Sequence, residues 1–170
     1  TILPGWPFLL WDAERPDDDR GEEPRQRQRI MGTPAVGDVN GDGVLDIVVG
    51  TNEQYGDNGR VYVLDGRGSR APKAILPGWP VTTFSRYVLP VVGSGMPNAA
   101  ALADIDKDGK LEIFVNGIGS NLDILRSDGS SYPVRLQPGK AGFGSQSDTS
   151  EFAALGFIAS PAIGDLDGDG

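Results

Sequence analysis

Apolar residues along the chain fall in short runs, each closed by glycine, proline, aspartate or asparagine. Ile47-Val48-Val49, Val61-Tyr62-Val63-Leu64, Ile113-Phe114-Val115 and Leu122 to Leu125 are rich in β-branched and aromatic residues, the composition of strands. No stretch sustains the three-to-four-residue apolar spacing of an amphipathic helix. The pattern predicts strands over 35–39, 46–51 and 60–65, and again over 101–105, 112–116 and 122–126. Fourth strands are expected near 80–84 and 133–137. The fold class is therefore all-β.

The order of these runs repeats. Thr33-Pro34-Ala35-Val36-Gly37-Asp38 returns as Ser160-Pro161-Ala162-Ile163-Gly164-Asp165, with a weaker copy from Ala99 to Asp104. The three aspartates are 66 and 61 residues apart. A second marker, Ile2-Leu3-Pro4-Gly5-Trp6-Pro7, returns as Ile75-Leu76-Pro77-Gly78-Trp79-Pro80, and Tyr132-Pro133-Val134 resembles its end. Internal repetition of about 60 residues with three or four strands per unit indicates stacked supersecondary units of propeller-blade size. The units divide the chain into 1–30 (end of a preceding blade and a charged connection), 31–84 and 85–137 (two blades), and 138–170 (a connection and the start of a further blade). Two complete units are fewer than the four to eight blades that close a propeller ring. The expected architecture is an incomplete ring, part of a longer polypeptide.

Each lead-in ends in an acidic loop. The first runs Asp38-Val39-Asn40-Gly41-Asp42-Gly43-Val44-Leu45-Asp46, with oxygen-bearing side chains at positions 1, 3, 5 and 9. Calcium takes six to eight oxygen ligands, and alternate residues of a tight loop can supply them from side chains. Gly43 at position 6 permits a sharp turn, and Val44 at position 7 offers its backbone carbonyl. The second loop, Asp104-Ile105-Asp106-Lys107-Asp108-Gly109-Lys110-Leu111-Glu112, keeps the pattern. Lys110 stands at the carbonyl position, where side-chain identity matters little. Glu112 replaces the final aspartate, and its longer side chain is expected to ligate at a shifted angle or through water. The third loop contributes Asp165, Asp167 and Asp169, and Gly170 is the last residue of the chain. The bland reading of such loops is that their side chains only satisfy their own backbone, as Asp and Asn do in ordinary turns. Three loops in register behind a repeated lead-in favour metal. An EF-hand would need glutamate at position 12 and flanking helices; here position 12 is Val49 or Val115, and the flanks are strands.

Charge supports the metal reading. The net charge is −9. Ten of the 24 acidic residues lie in the three loops, and the other 14 are balanced by 15 lysines and arginines. Clustered carboxylates repel unless a cation offsets them, and three divalent ions would bring the total to −3. Other chemistry is restricted. With no cysteine and no histidine, disulfides, thiolate sites, histidine bases and the usual zinc ligands are ruled out. The longest uncharged run, Tyr87 to Ala103, is broken by Pro90, Gly93, Gly95 and Pro97 and is not a membrane span.

These residues resemble the FG-GAP/VCBS repeat family, the calcium-loop repeats of integrin-α-like β-propellers. The resemblance rests on Pro34 to Gly50, Ala99 to Val115 and Ser160 to Gly170, and on Ile75 to Val81, which is similar to a segment of bacterial members. It implies one structural calcium per acidic loop, held at the loop joining the first two strands of a blade. It implies a secreted, periplasmic or cell-surface location, and a protein or glycan partner reached alongside neighbouring blades of the same chain. The expected role is adhesion or ligand binding, with no enzymatic activity and no nucleic-acid partner. The alternatives are the propeller portion of an extracellular hydrolase or lyase, or a scaffold in a surface assembly. Asp17-Asp18-Asp19 with Glu22-Glu23 reads as a solvated loop, and Arg25, Arg27 and Arg29 as a solvated linker rather than an anion-binding patch. Residues 140–150 read as a Gly/Ser-rich loop. Trp6 and Trp79 read as packing residues that recur because each blade needs the same filling, with sugar stacking as the alternative.

Overall fold

The computed structural model of the chain describes residues 2–7, 30–53, 59–71, 73–82, 94–117, 122–132, 160–166 and 168. The acidic stretch 12–23, the three arginines at 25–29, the expected strand at 133–137 and the Gly/Ser-rich loop lie outside these residues. Nine strands are described: β1 (Ala35–Gly37), β2 (Asp46–Gly50), β3 (Asn52–Glu53), β4 (Arg60–Leu64), β5 (Val81–Thr82), β6 (Ser94–Gly95), β7 (Ala101–Ala103), β8 (Glu112–Asn116) and β9 (Leu122–Leu125). A 3-10 turn, Gly68–Arg70, follows β4, and the described residues contain no α-helix.

Seven of the nine strands form two antiparallel sheets of matching register. One has the order β1-β2-β4-β5, the up-and-down arrangement of a four-stranded blade, and the other the order β7-β8-β9. Their registers match residue for residue. Val36 faces Ile47 as Leu102 faces Ile113, and Ile47 faces Leu64 as Ile113 faces Leu125. Among the described residues the sheets do not close into a ring.

The lead-in strands are shorter than expected, ending at Gly37 and Ala103 rather than at Val39 and Ile105. The reason is local. The Val39 and Ile105 N–H groups donate to the carboxylates of Asp46 and Glu112, so they are withdrawn from the strand ladder. The sequence pattern also missed a pairing. Strands β3 and β6 form a two-stranded ribbon that ties the first unit to the residues leading into the second. Two-residue strands carry too little periodicity to be read.

The near-continuous apolar runs of β2 and β8 follow from burial on both faces. Alternate residues of the first blade point opposite ways. Val48, Val61 and Val63 pack with Ile113, Val115 and Leu125 of the second blade, together with Met96 and Trp79. Val49, Tyr62 and Leu64 form a second cluster with Trp6 and Ile75 on the other face. The main core is thus the interface between blades, as expected where no repeat can bury its apolar face alone.

The Trp-Pro segments lock this stacking. Trp6 Nε1 donates to Gly66 O at 3.3 Å, and Trp79 Nε1 donates to Ser127 O at 2.9 Å. Gly66 and Ser127 stand two residues past the equivalent Leu64 and Leu125. Each Trp-Pro segment therefore docks on the turn after the third strand of the blade that follows it. Gly5 and Gly78 have φ of 92° and 89°, and a Cβ on either would collide with the carbonyl of Arg67 or Asp128 respectively. Only glycine fits this approach. The tryptophans are packing residues, and Trp79 is buried. The third lead-in takes its place in the same series, with Ser160 Oγ accepting from Ala99 N at 3.1 Å.

Candidate metal centre

The acidic loop joins β1 to β2 in the first blade and β7 to β8 in the second. Both adopt one conformation, built from the same bonds. In the first, Asp38 accepts from the N–H groups of Asp42 (3.0 Å) and Gly43 (2.8 Å), Asn40 from Asp42 (3.0 Å), and Asp42 from Val44 (2.9 Å). In the second, Asp104 accepts from Asp108 (3.1 Å) and Gly109 (2.9 Å), Asp106 from Asp108 (3.3 Å), and Asp108 from Lys110 (2.8 Å). The short oxygen-bearing side chains at positions 1, 3 and 5 wind the backbone around themselves. Val44 and Lys110, the expected carbonyl donors, enter the loops equivalently through their N–H groups.

Positions 4 and 6 are left-handed. Gly43 and Gly109 have φ of 83° and 84°, Gly41 has φ of 74°, and Lys107 adopts φ of 62°. The left-handed position 4 was missed in the sequence because lysine occupies it in the second loop and hides the glycine of the first.

Glu112 keeps the backbone anchor of the residue it replaces. Its Oε2 accepts from Ile105 N at 2.9 Å, and Asp46 Oδ2 accepts from Val39 N at 3.0 Å. The extra methylene is absorbed while the carboxylate keeps the same backbone anchor. Both position-9 side chains are buried, Asp46 completely. In the third loop Asp165 accepts from Gly168 N at 2.8 Å; Asp167 and Asp169 lie outside the described residues.

Carboxylate oxygens of Asp104, Asp106 and Asp108 lie within 4.8 Å of one another. The first loop has the same scaffold with the Asn40 amide oxygen at position 3. Self-satisfied turns account for most of these bonds but leave one atom unexplained. Asp46 Oδ1 is buried without a hydrogen-bond partner. Burial, with the neighbouring charges of Asp42, Asp65 and Asp38, pushes the Asp46 carboxyl up to about 6, against the pull of the Val39 N–H. Glu112 is raised by the same causes, burial first, then the fields of Asp106, Asp108 and Asp104. A buried carboxylate oxygen without a donor is costly, and a cation would satisfy it. The donor set is all oxygen, as a hard divalent ion requires.

The loops differ in one neighbour. Arg67, in the turn after β4, donates Nη2 to Asp42 Oδ2 at 3.1 Å, and its Nε bonds both oxygens of buried Asp65 at 2.8 and 3.1 Å. Asp65 is held below the usual carboxylate range by this guanidinium. In the second blade the charges are exchanged: Arg126 stands where Asp65 does, and Asp128 where Arg67 does. That reversal was visible in the aligned repeats. Its consequence, that among the described residues a guanidinium reaches the first of the two complete loops and not the second, depended on the turn's position.

The family model of the FG-GAP-like repeat matches residues 38–115, a span that holds both complete acidic loops and the blade elements between them. No curated protein and no solved structure matches the chain. Residues 38–115 of this chain, 78 of its 170, are thus similar to the FG-GAP-like repeat.

Proposed function

We propose that the chain is a calcium-binding β-propeller repeat segment of a secreted or cell-surface protein, a binding module rather than an enzyme, with calcium in a structural role. The observation that carries this reading is the buried, partnerless Asp46 Oδ1 at the inner end of a loop whose other side chains also present oxygen. Asp38, Asn40, Asp42 and Asp46 would hold one ion, with the Val44 carbonyl. Asp104, Asp106, Asp108 and Glu112 would hold another, with the Lys110 carbonyl. Calcium, once bound, supplies positive charge that offsets the mutual repulsion of these carboxylates. The loops themselves fix the starts of β2 and β8, the central strands of their blades. Metal occupancy is in this way tied to blade stability rather than to chemistry on a substrate.

Sites of the extracellular kind bind calcium at about 10⁻⁴ to 10⁻³ M, so they fill where calcium is plentiful. This supports an extracytoplasmic location and a protein or glycan partner. Among the described residues no helix is long and apolar enough to cross a membrane. The test is the calcium content of the purified protein and its melting temperature with and without a chelator. About one ion per complete loop and a marked fall in melting temperature on chelation are expected. Absence of retained calcium and an unchanged melt in millimolar calcium would reduce the loops to acidic turns.

A further inference from the structure

The two acidic loops touch each other through the segments that carry their ligands. Leu111 N donates to Val39 O at 3.1 Å. A Cβ on Gly41 would stand 2.9 Å from Gly109 O and 3.6 Å from Lys110 Cγ. Val39 and Gly41 are positions 2 and 4 of the first loop; Gly109 and Leu111 are positions 6 and 8 of the second. We propose that the two loops bind calcium as a coupled pair, an ion in one raising the affinity of the other. The inference rests on the calcium reading above and adds the regulation of those sites.

The physical link is two hydrogen bonds that meet at the Val39 backbone, on the peptide groups either side of its Cα. Asp46, the position-9 carboxylate of the first loop, accepts from Val39 N. The Val39 carbonyl accepts from Leu111 N. The Leu111 N–H shares a peptide group with the Lys110 carbonyl, position 7 of the second loop. A cation drawing on that carbonyl makes the Leu111 N–H a better donor to Val39, because hydrogen-bonded peptides polarise one another. The same bond holds the Val39 backbone, and with it Asp38 and Asn40, in the geometry that the first ion needs. Ordering either loop therefore lowers the cost of ordering its neighbour. Repulsion between the two ions opposes this. Between exposed charges it is largely screened beyond about 8 Å at physiological salt, whereas Val39, where the two bonds meet, is fully buried.

The experiment is calcium titration of the full chain by calorimetry, on the wild type and on two double variants. Asp38→Asn/Asp42→Asn disables the first loop, and Asp104→Asn/Asp108→Asn the second. Coupling energies between sites are commonly 5-fold or more in affinity. About a fivefold weakening of each remaining site is expected, equal in the two directions because linkage is reciprocal. The loss persists in 1 M KCl, where the screening length is about 3 Å. The wild-type isotherm, which needs no variant to fold, should show a Hill slope above 1. In the variant lacking the second loop, the Leu111 amide resonance should move as calcium fills the first. Remaining sites of unchanged affinity, a loss that vanishes in 1 M KCl, a slope of 1 or less, or a static Leu111 resonance would each overturn the coupling while leaving the calcium reading intact. No binding in the wild type would overturn both.

Discussion

Replacing Asp46 by asparagine separates what this side chain does for the polypeptide from what it does for a metal. Its carboxylate is fully buried, one oxygen is anchored by Val39 N at 3.0 Å, and the other has no partner. A carboxyl held near 6 instead of 3.8 costs the folded protein about 3 kcal/mol at neutral pH. Asparagine removes that charge. Its amide oxygen can still accept from Val39, though a hydrogen bond to a neutral acceptor is about 1 kcal/mol weaker than one to a carboxylate. The metal-free Asp46→Asn protein should therefore be more stable than the wild type, by roughly 1–2 kcal/mol. Calcium works against this difference. At a dissociation constant of 10⁻⁴ to 10⁻³ M, 10 mM calcium stabilises the wild type by about 1.5–2.7 kcal/mol per site, and the variant forfeits the share of the first loop. The assay is urea unfolding in chelator and in 10 mM calcium. A variant less stable than the wild type in chelator, with an undiminished gain from calcium, would show that Asp46 is a backbone anchor and not a ligand.

Three further outcomes test other parts of the structure. Gly41→Ala and Gly43→Ala impose similar left-handed strain, about 1 kcal/mol each; the Gly41 Cβ also meets Gly109 O at 2.9 Å whereas the Gly43 Cβ meets nothing within 4 Å. Thermal melts should therefore show Gly41→Ala as clearly the worse, and equal losses would deny the contact between loops. Trp79→Ala should destabilise by about 3–5 kcal/mol, and Trp79→Phe by about 1 kcal/mol for the bond to Ser127; a tryptophan serving only a surface ligand would leave the urea midpoint unchanged. Burial raises the Asp123 carboxyl above its ordinary range, so its charged form is penalised in the folded state. That penalty is fully present above the folded pKa and is shed as pH falls through it. Asp123→Asn should be the more stable protein at pH 7, the difference closing on the acid side, and a pH-independent difference would refute the burial argument.

Much of this was legible without coordinates, for reasons that differ between elements. The β-branched runs Ile47 to Val49 and Ile113 to Val115 could only be strands, because a composition suited to burial on both faces is local information. The acidic loops were legible because a nine-residue loop of this kind carries its own oxygen-bearing side chains, and neighbours in sequence are neighbours in space. The repeated Ile-Leu-Pro-Gly-Trp-Pro segment marked a recurring structural need, but its partner, a turn 60 residues on for Trp6 and 48 for Trp79, could not be read from spacing that varies.

What the sequence alone determined is therefore what is encoded within a few residues: strand identity, the turn chemistry of each loop, and the unit of repetition. Tertiary structure decided what happens between segments further apart in the chain. It set Leu111 against Val39, so that two acidic loops became one hydrogen-bonded assembly. It placed Arg67 on Asp42, with no equivalent on the second loop among the described residues. It buried one oxygen of Asp46 with no partner. The first of these depends on the angle at which one blade meets the next, a quantity set by the packing of Val48, Val61 and Val63 on Ile113, Val115 and Leu125 and by no single segment of the chain.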